Sequence, residues 1–319
     1  MSASRVLIVY NPNAGKGRGI KHANRLEKAL LKKDPRLKIT KFSANGLEIM
    51  RKFWADFHSE QLEFDIITLI GGDGTVGPNV DCMLKNKIDT PIYCYGKGTA
   101  NDFSSYFKTN CSPKRAAFSI LTQESIHIDT IEVRTSDSEQ ITYAINVACG
   151  GAFTNGVTRY SKKSKKLFGK LAYFMHAFRA TFKLKSQAVN FTVENKNTQI
   201  TEHLTEEIFL FYILNTANIG GLRNCAPLAS ARDGLLDLVC VKKCGFFGKM
   251  SLALHQAFHR MHKCKHVIYI QGTHFTVSPI EPSISNFTKT DIDGNSAGSY
   301  PLFATLGPKI QVISRKKCK

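Results

Sequence analysis

The run Gly71-Gly72-Asp73-Gly74-Thr75 is the part of this chain best suited to carry chemistry, and it follows the apolar stretch Phe64-Asp65-Ile66-Ile67-Thr68-Leu69-Ile70. Three glycines within four residues let the backbone reach positive φ and approach a ligand closely, so that successive N–H groups converge on anionic oxygens. Asp73 sets a carboxylate among those amides, which suits a polyphosphate only when a cation or a transferable proton stands between them. The chemistry implied is nucleotide binding with Mg²⁺. The purely structural alternative is a glycine-rich strand-to-helix turn with an Asp near a helix N-terminus.

Two further turns have the same character. Asn11-Pro12-Asn13-Ala14-Gly15-Lys16-Gly17-Arg18-Gly19 follows a strand and opens a helix, presenting amides and cations to a phosphate. Its glycine spacing is not that of a Walker A loop. A Rossmann dehydrogenase fits poorly as well, because the second strand ends Thr40-Lys41-Phe42-Ser43 without the acidic residue that would hold a ribose. The third turn is Gly96-Lys97-Gly98-Thr99-Ala100-Asn101-Asp102-Phe103, where Thr99, Asn101 and Asp102 are also ordinary helix caps.

The elements that position these turns alternate. Strands are predicted at Val6 to Tyr10, Leu37 to Phe42, Phe64 to Ile70 and Pro91 to Tyr95, with helices at Ile20 to Lys32, Leu47 to Phe57 and Pro78 to Lys87. That order argues for a doubly wound parallel sheet with ligands beyond the strand C-termini, the edge on which all three turns fall. After Thr122 the pattern becomes antiparallel: Ile126 to Thr135 and Gln140 to Ala148 read as one hairpin, Val189 to Glu194 with Gln199 onward as another, and Leu235 to Val241 and Val267 to Ile270 as further strands. Helices are expected at about Lys165 to Lys183 and Gly248 to His262. The fold class is thus an α/β N-terminal doubly wound nucleotide-binding domain plus a C-terminal antiparallel β-domain. Residues 1–123, 124–304 and 305–319 form the respective segments.

Composition agrees with two cores: 319 residues, 43% of them hydrophobic, exceed one ordinary compact unit. The net charge of +19, from 44 Lys and Arg against 25 Asp and Glu, favours an anionic partner: nucleotide, nucleic acid or lipid surface. Nine cysteines without regular spacing suit a reducing compartment, with cytosol as the default. The longest apolar run, Ile208 to Leu214, falls far short of the roughly 20 residues of a membrane span, so membrane contact is expected to be peripheral.

Taken together, Asn-Pro-x-x-Gly-Lys, Gly-Gly-Asp-Gly-Thr and Gly-Thr-x-Asn-Asp-Phe resemble the diacylglycerol kinase catalytic-domain superfamily, and within it the soluble bacterial lipid kinases related to diacylglycerol and sphingosine kinases. Leu167-Phe168-Gly169-Lys170-Leu171-Ala172-Tyr173, Ala226-Pro227-Leu228-Ala229 and Asp233-Gly234-Leu235-Leu236-Asp237 extend the likeness over nearly the whole length. The resemblance implies a nucleotide-binding domain, a β-sandwich for the lipid, and ATP- and Mg²⁺-dependent phosphate transfer to a lipid hydroxyl. It also implies that the chain end, Leu306 to Ser314, returns to the first domain. By position it assigns Asn11, Pro12, Asn13, Ala14, Gly15, Lys16, Ser43, Gly71, Gly72, Asp73, Gly74, Thr75 and Thr99 to the nucleotide. A structural Mg²⁺ falls to Asp233 with the carbonyls of Ser230 and Leu235, hard oxygen ligands that suit this ion.

The chain departs from the family at two places. Val76-Gly77-Pro78 replaces the usual apolar residue, Asn and Glu, and Asp293-Gly294-Asn295 replaces Asp-Gly-Glu, whose Glu is the presumed base; an amide cannot accept that proton. The candidate catalytic residues are Asp73, Asp293 and Asn295, with Asp291 in reserve. A slow or atypical lipid kinase is the leading expectation. A degenerate homologue that binds without transfer and a soluble-substrate kinase of the NAD kinase type are the alternatives. Lys162 to Lys170 precedes aromatic-rich positions and suits an anionic membrane surface. His255, His259, His262, Cys264 and His266 crowd one stretch, His255 and His259 at helical spacing, but lack the Glu of a zinc protease. No nucleic-acid reading module is recognisable, and a homodimer is one assembly open to the chain.

Overall fold

The computed structural model describes residues 5–58, 62–151, 185–281, 287 and 289–315. The expected helix at Lys165 to Lys183, the family-like stretch Leu167 to Tyr173 and the basic segment Lys162 to Lys170 lie outside these residues.

The N-terminal half is a six-stranded sheet with helices on both faces. Its strands are β1 (Arg5–Tyr10), β2 (Lys38–Ser43), β3 (Ile66–Gly71), β4 (Ile92–Gly96), β5 (Ser125–Ile128) and, from the far end of the chain, β17 (Ile310–Ile313). The order is β2-β1-β3-β4-β17-β5, with β1 to β4 parallel. Between them run the single turn α1 (Ala14–Gly17), α2 (Gly19–Leu31), α3 (Leu47–Asp56), α4 (Asp73–Lys85), α5 (Asp102–Tyr106) and α6 (Pro113–Thr122). Helices α2 and α6 close one face, where Ala23, Leu26, Leu30, Ala116 and Ile120 meet Val6, Ile8 and Tyr93. On the other face Met50 and Trp54 of α3 and Val76 and Val80 of α4 pack on Leu7, Ile67 and Leu69. The strand order reverses between β1 and β3, so the crevice for a ligand opens at their C-terminal ends.

The C-terminal half is antiparallel. It comprises β6 (Ile131–Thr135), β7 (Ser138–Ala144), β8 (Val147–Gly151), β9 (Gln187–Asn195), β10 (Ile200–Leu214), β11 (Leu236–Lys242), α7 (Phe246–Ala257), a 3-10 turn (Met261–Lys263), β12 (Val267–Gly272), β13 (His274–Pro279), β14 (Thr290–Ile292), β15 (Asn295–Ser296) and β16 (Leu302–Leu306). These form an eleven-stranded sheet ordered β15-β14-β8-β10-β9-β13-β16-β6-β7, with β11 and β12 branching from β10. One core takes Ala148 from β8, Val133 from β6 and Phe191, Phe211 and Leu238 from strands between and beside them. Strands from distant places in the sheet order thus share one interior, and the sheet curls into facing layers.

Three expectations are corrected. Ile126 to Thr135 is not one strand: it divides at Asp129 and Thr130 into β5 of the first sheet and β6 of the second. The cause is long-range, because the Asp129 amide donates to Ala231 O and Thr130 Oγ1 to Pro308 O. Gln140 to Ala148 divides likewise into β7 and β8, since the amides of Ile145, Asn146 and Val147 turn toward the Asp293 carboxylate. The helix expected to start at Pro78 starts at Asp73 and carries Pro78 inside it. A proline there removes one bond and crowds the carbonyl four residues earlier, which belongs to the side-chain-free Gly74.

Packing between α3 and α4 rests on one buried polar group. Trp54 Nε1 donates to Asn79 Oδ1 at 2.8 Å, and Asn79 Nδ2 donates to Thr75 O at 2.7 Å, all three residues being buried. Asn79→Ala leaves the buried indole N–H without a partner, and an unmade buried bond costs about 1–3 kcal/mol. A urea unfolding free energy lowered by that amount is the expected result, and an unchanged midpoint would contradict it.

Candidate active site

The three glycine turns meet above the parallel strands. Asn11 follows β1 and its amide donates to Ile70 O of β3 at 3.2 Å, seating the first turn on the β1/β3 seam. Asn11 Oδ1 then accepts from Asn13 N at 2.9 Å and Asn11 Nδ2 donates to Thr75 Oγ1 at 3.2 Å, so one side chain ties the first turn to the second. Pro12 and Ala14 complete the loop, and Gly15 and Lys16 are both left-handed, at φ 59° and 63°. At Gly19 a Cβ would lie 1.9 Å from Asn11 O, so only glycine fits where α2 begins.

The second and third turns touch backbone to backbone. A Cβ on Gly98 would lie 2.3 Å from Gly72 Cα, and one on Gly72 would lie 2.9 Å from Gly98 Cα. Lys97 N donates to Gly71 O at 2.7 Å, and the Gly15 Cβ position is 3.0 Å from Lys97 O, which brings in the first turn. Asn101, left-handed at φ 54°, holds the third turn shut by bonding both the amide and the carbonyl of Gly98. Helix α4 begins at Asp73 without a side-chain cap, leaving its first amides for an anion. Asp73 Oδ1 accepts from Phe103 N at 3.2 Å, and Thr99 stands exposed at the rim. Ser43 ends β2 beside Tyr10, half-buried.

Cations surround this junction. The His22 imidazole is held below its ordinary pKa by burial and by the charges of Lys97, Arg25, Arg18 and Lys21. Burial also lowers the Lys97 ammonium, whose Nζ donates to Cys111 O at 3.1 Å and lies 4.0 Å from the Tyr95 ring centroid. Like charges crowded at uncapped amides are stabilised by a polyanion. Lys97 and His22 were missed as site residues at the sequence level. The signal for Lys97 was its place between two glycines; nothing local marks His22, which arrives from a turn of α2.

From the other domain, the hairpin β14–β15 closes over α4. Asp293 and Gly294 form its two-residue turn with φ 50° and 84°, the conformation for which Asp-Gly is favoured. Asp293 is buried, with Oδ2 accepting from Ile145 N and Oδ1 from Asn146 N and Val147 N at 2.8–3.1 Å. Burial pushes its carboxyl up to about 7 against the pull of those three amides, and the Asp73 charge adds to the rise. Both oxygens are thus engaged in holding the β7–β8 connection. A Cβ on Gly77 would lie 3.0 Å from Asp293 Cβ and Oδ2, so glycine at 77 makes room for it. Asn295, two residues on, is exposed. Asp291 is raised to about 6 by burial, while its Oδ1 accepts from Gly294 N. Asp102, another residue overlooked as more than a cap, fastens the domains through Gly221 N to its Oδ1 at 2.9 Å and Asn218 Nδ2 to its O at 3.2 Å.

The loop with Ser230, Asp233 and Leu235 stands elsewhere, at the chain crossing marked by Asp129. Asp233 Oδ1 accepts from Leu235 N and Asp129 Oδ2 from Gly234 N. The Asp233 carboxyl is raised by burial and by the Asp129 charge. Asp237 lies on β11, its Oδ1 bonded by Tyr269 and Gln271 and its buried Oδ2 without a partner, and burial lifts it to about 7. The histidine expectation is corrected too: α7 ends at Ala257 and His259 is left-handed, so His255 and His259 do not share a helical face. Among the described residues no group of three His, Cys, Asp or Glu side chains is placed to hold a metal, and no helix is long and apolar enough to cross a membrane.

Comparison with known proteins agrees with this architecture. Residues 5–133 match the diacylglycerol kinase catalytic domain and residues 130–314 the YegS C-terminal NAD kinase beta sandwich-like domain. A diacylglycerol kinase of Bacillus subtilis (strain 168) is 25% identical over 326 residues, covering 98% of this chain and 97% of its own. One from Staphylococcus carnosus (strain TM300) is 24% identical over 321 residues, covering 99% and 96%. The crystal structure of a diacylglycerol kinase from Bacillus anthracis str. Sterne superposes with a TM-score of 0.75 at 20% identity, over 99% of this chain and 98% of that one, a likeness of fold. With a nucleotide-type α/β domain of the first family joined to a β-domain of the second, the chain belongs to the diacylglycerol kinase catalytic-domain superfamily, among its lipid-kinase-like members.

Proposed function

We propose that the protein is an ATP- and Mg²⁺-dependent lipid kinase that transfers the γ-phosphate to a hydroxyl of a diacylglycerol-like lipid. The observation that carries the reading is the backbone contact of Gly72 with Gly98, roofed by the Asp293 hairpin. It unites uncapped amides, a ring of cations and a wall from the second domain in one cleft. The amides at the start of α4 and the left-handed first turn cradle the phosphates, with Lys16 and Lys97 as the cations beside them. The lipid hydroxyl oxygen forms its bond to the γ-phosphorus as the bond to the β-phosphate oxygen breaks, and the hydroxyl proton leaves to solvent or to a nearby carboxylate. That transfer passes through a loose transition state in which positioning and charge supply most of the rate.

Mg²⁺, when bound, neutralises the triphosphate and the charge that develops on it. The chain suits such a cation at two places. Asp73 has one oxygen engaged by Phe103 N and makes no further hydrogen bond among the described residues. At the second, Asp233 with the backbone of Ser230 and Leu235 supplies hard oxygen donors, and burial together with a neighbouring carboxylate raises both Asp233 and Asp237, a cost that a divalent ion would relieve. Residence in the cytoplasm with transient contact at the membrane surface follows from a lipid acceptor.

Asn295 favours a second reading, a homologue that binds nucleotide or lipid without transferring phosphate. Incubation with labelled ATP, Mg²⁺ and a total lipid extract decides between them: a labelled lipid supports the kinase. Asn295→Glu is expected to raise the rate, since general-base assistance is worth roughly 10²–10⁴-fold. Nucleotide binding with no labelled lipid from either form would leave the binding-only reading. Gly98→Ala drives a methyl into Gly72 and is expected to weaken triphosphate binding by calorimetry by at least about tenfold, a loss of about 1.4 kcal/mol; unchanged affinity would remove the glycine contact from the argument.

A further inference from the structure

Helix α7 leaves much of its apolar surface in solvent. Phe247 is 83% exposed and Phe258, at the end of the helix, 70%, while Met250 and Leu254 between them are 42% and 56% exposed. Steps of three and four residues place these four on one side. Single exposed apolar residues are ordinary, whereas a continuous row with an aromatic ring at each end marks a contact surface.

Charge decides what the surface contacts. From residue 238 to residue 280 the sequence contains no Asp or Glu, although Lys242, Lys243, Lys249, Arg260, Lys263 and Lys265 all fall there. Glu206 and Glu207 pair with Lys242 and Lys243 near the start of the helix. The positive excess therefore gathers beyond its end, where Arg260, Lys263 and Lys265 are exposed. An apolar stripe flanked by cations matches the boundary between acyl chains and anionic headgroups.

Position points the same way. Gln256 of α7 donates to Arg223 O at 3.0 Å and accepts from Cys225 Sγ at 3.3 Å, which fixes the loop before β11. In that loop Gly221 N is bonded to Asp102, so one loop separates the stripe from the third glycine turn. Leu222 and Leu228 on the same loop are also exposed, at 39% and 50%.

We infer that α7 is an interfacial helix that docks this protein on an anionic bilayer, with Phe247, Met250, Leu254 and Phe258 entering the acyl boundary and Arg260, Lys263 and Lys265 at the headgroup phosphates. The inference deepens the lipid-kinase reading and rests on it only for the presence of a membrane-borne acceptor. The test is flotation of the full chain with vesicles of phosphatidylcholine alone or mixed with phosphatidylglycerol. Wild type is expected to float with the mixed vesicles and weakly with the neutral ones. The double variant Phe247→Ser/Phe258→Ser should lose at least about tenfold in binding, and Lys263→Glu/Lys265→Glu should abolish the preference for anionic lipid. All three proteins should share one urea midpoint, because these side chains stand in solvent. Equal flotation of wild type and the serine variant, or equal binding to both vesicles, overturns the inference. So does a wild-type dimer in sedimentation that the serine variant converts to monomer, because the face would then be covered by a second copy. Phosphate transfer to a dispersed short-chain diacylglycerol without vesicle binding would overturn the docking surface alone. Vesicle binding without any transfer supports the docking surface and overturns the kinase reading.

Discussion

Contact between two backbones, at Gly72 and Gly98, sets the geometry of the cleft. Helix starts on neighbouring parallel strands ordinarily stand a side chain apart. Here the absence of any Cβ at either position lets the turns after β3 and β4 close until Lys97 N reaches Gly71 O at 2.7 Å. The uncapped start of α4 and the cations of the first and third turns then face one volume. Burial lowers both His22 and Lys97, and the neighbouring cations lower His22 further. A site of this kind is stabilised by its ligand as much as it stabilises the ligand.

The second domain contributes through a buried carboxylate. Asp293 gathers three amides from the β7–β8 connection and lies against Gly77. The hairpin that carries Asn295 thus meets the departure at Gly77 through Asp293. Loss of a base in a reaction governed by charge and alignment slows the chemistry without dismantling the site.

Much of this was legible in the residues because the relevant signals are local. Strand, glycine turn and helix recur at β1, β3 and β4, and each turn carries its own sequence mark. The departures from expectation share one cause, a partner distant in the chain. Asp129 and Thr130 break a strand because Ala231 and Pro308 take up their hydrogen bonds, and residues 145–147 break another because of Asp293. Periodicity reports which face of a strand is buried but not which sheet it joins. His22 entered the site by the same route, through the placement of α2 against Lys97.

Strand β17 carries a consequence for how the molecule comes into being. It lies between β4 and β5 in the first sheet, although 181 residues separate Ile128, where β5 ends, from Ile310, where β17 begins. Until β17 has left the ribosome, β4 presents a bare edge, and such edges invite pairing with other chains. The first domain therefore cannot complete its sheet ahead of the second, as sequential domain folding would otherwise allow. Synthesis as far as Ile313 is the condition for closing the first sheet.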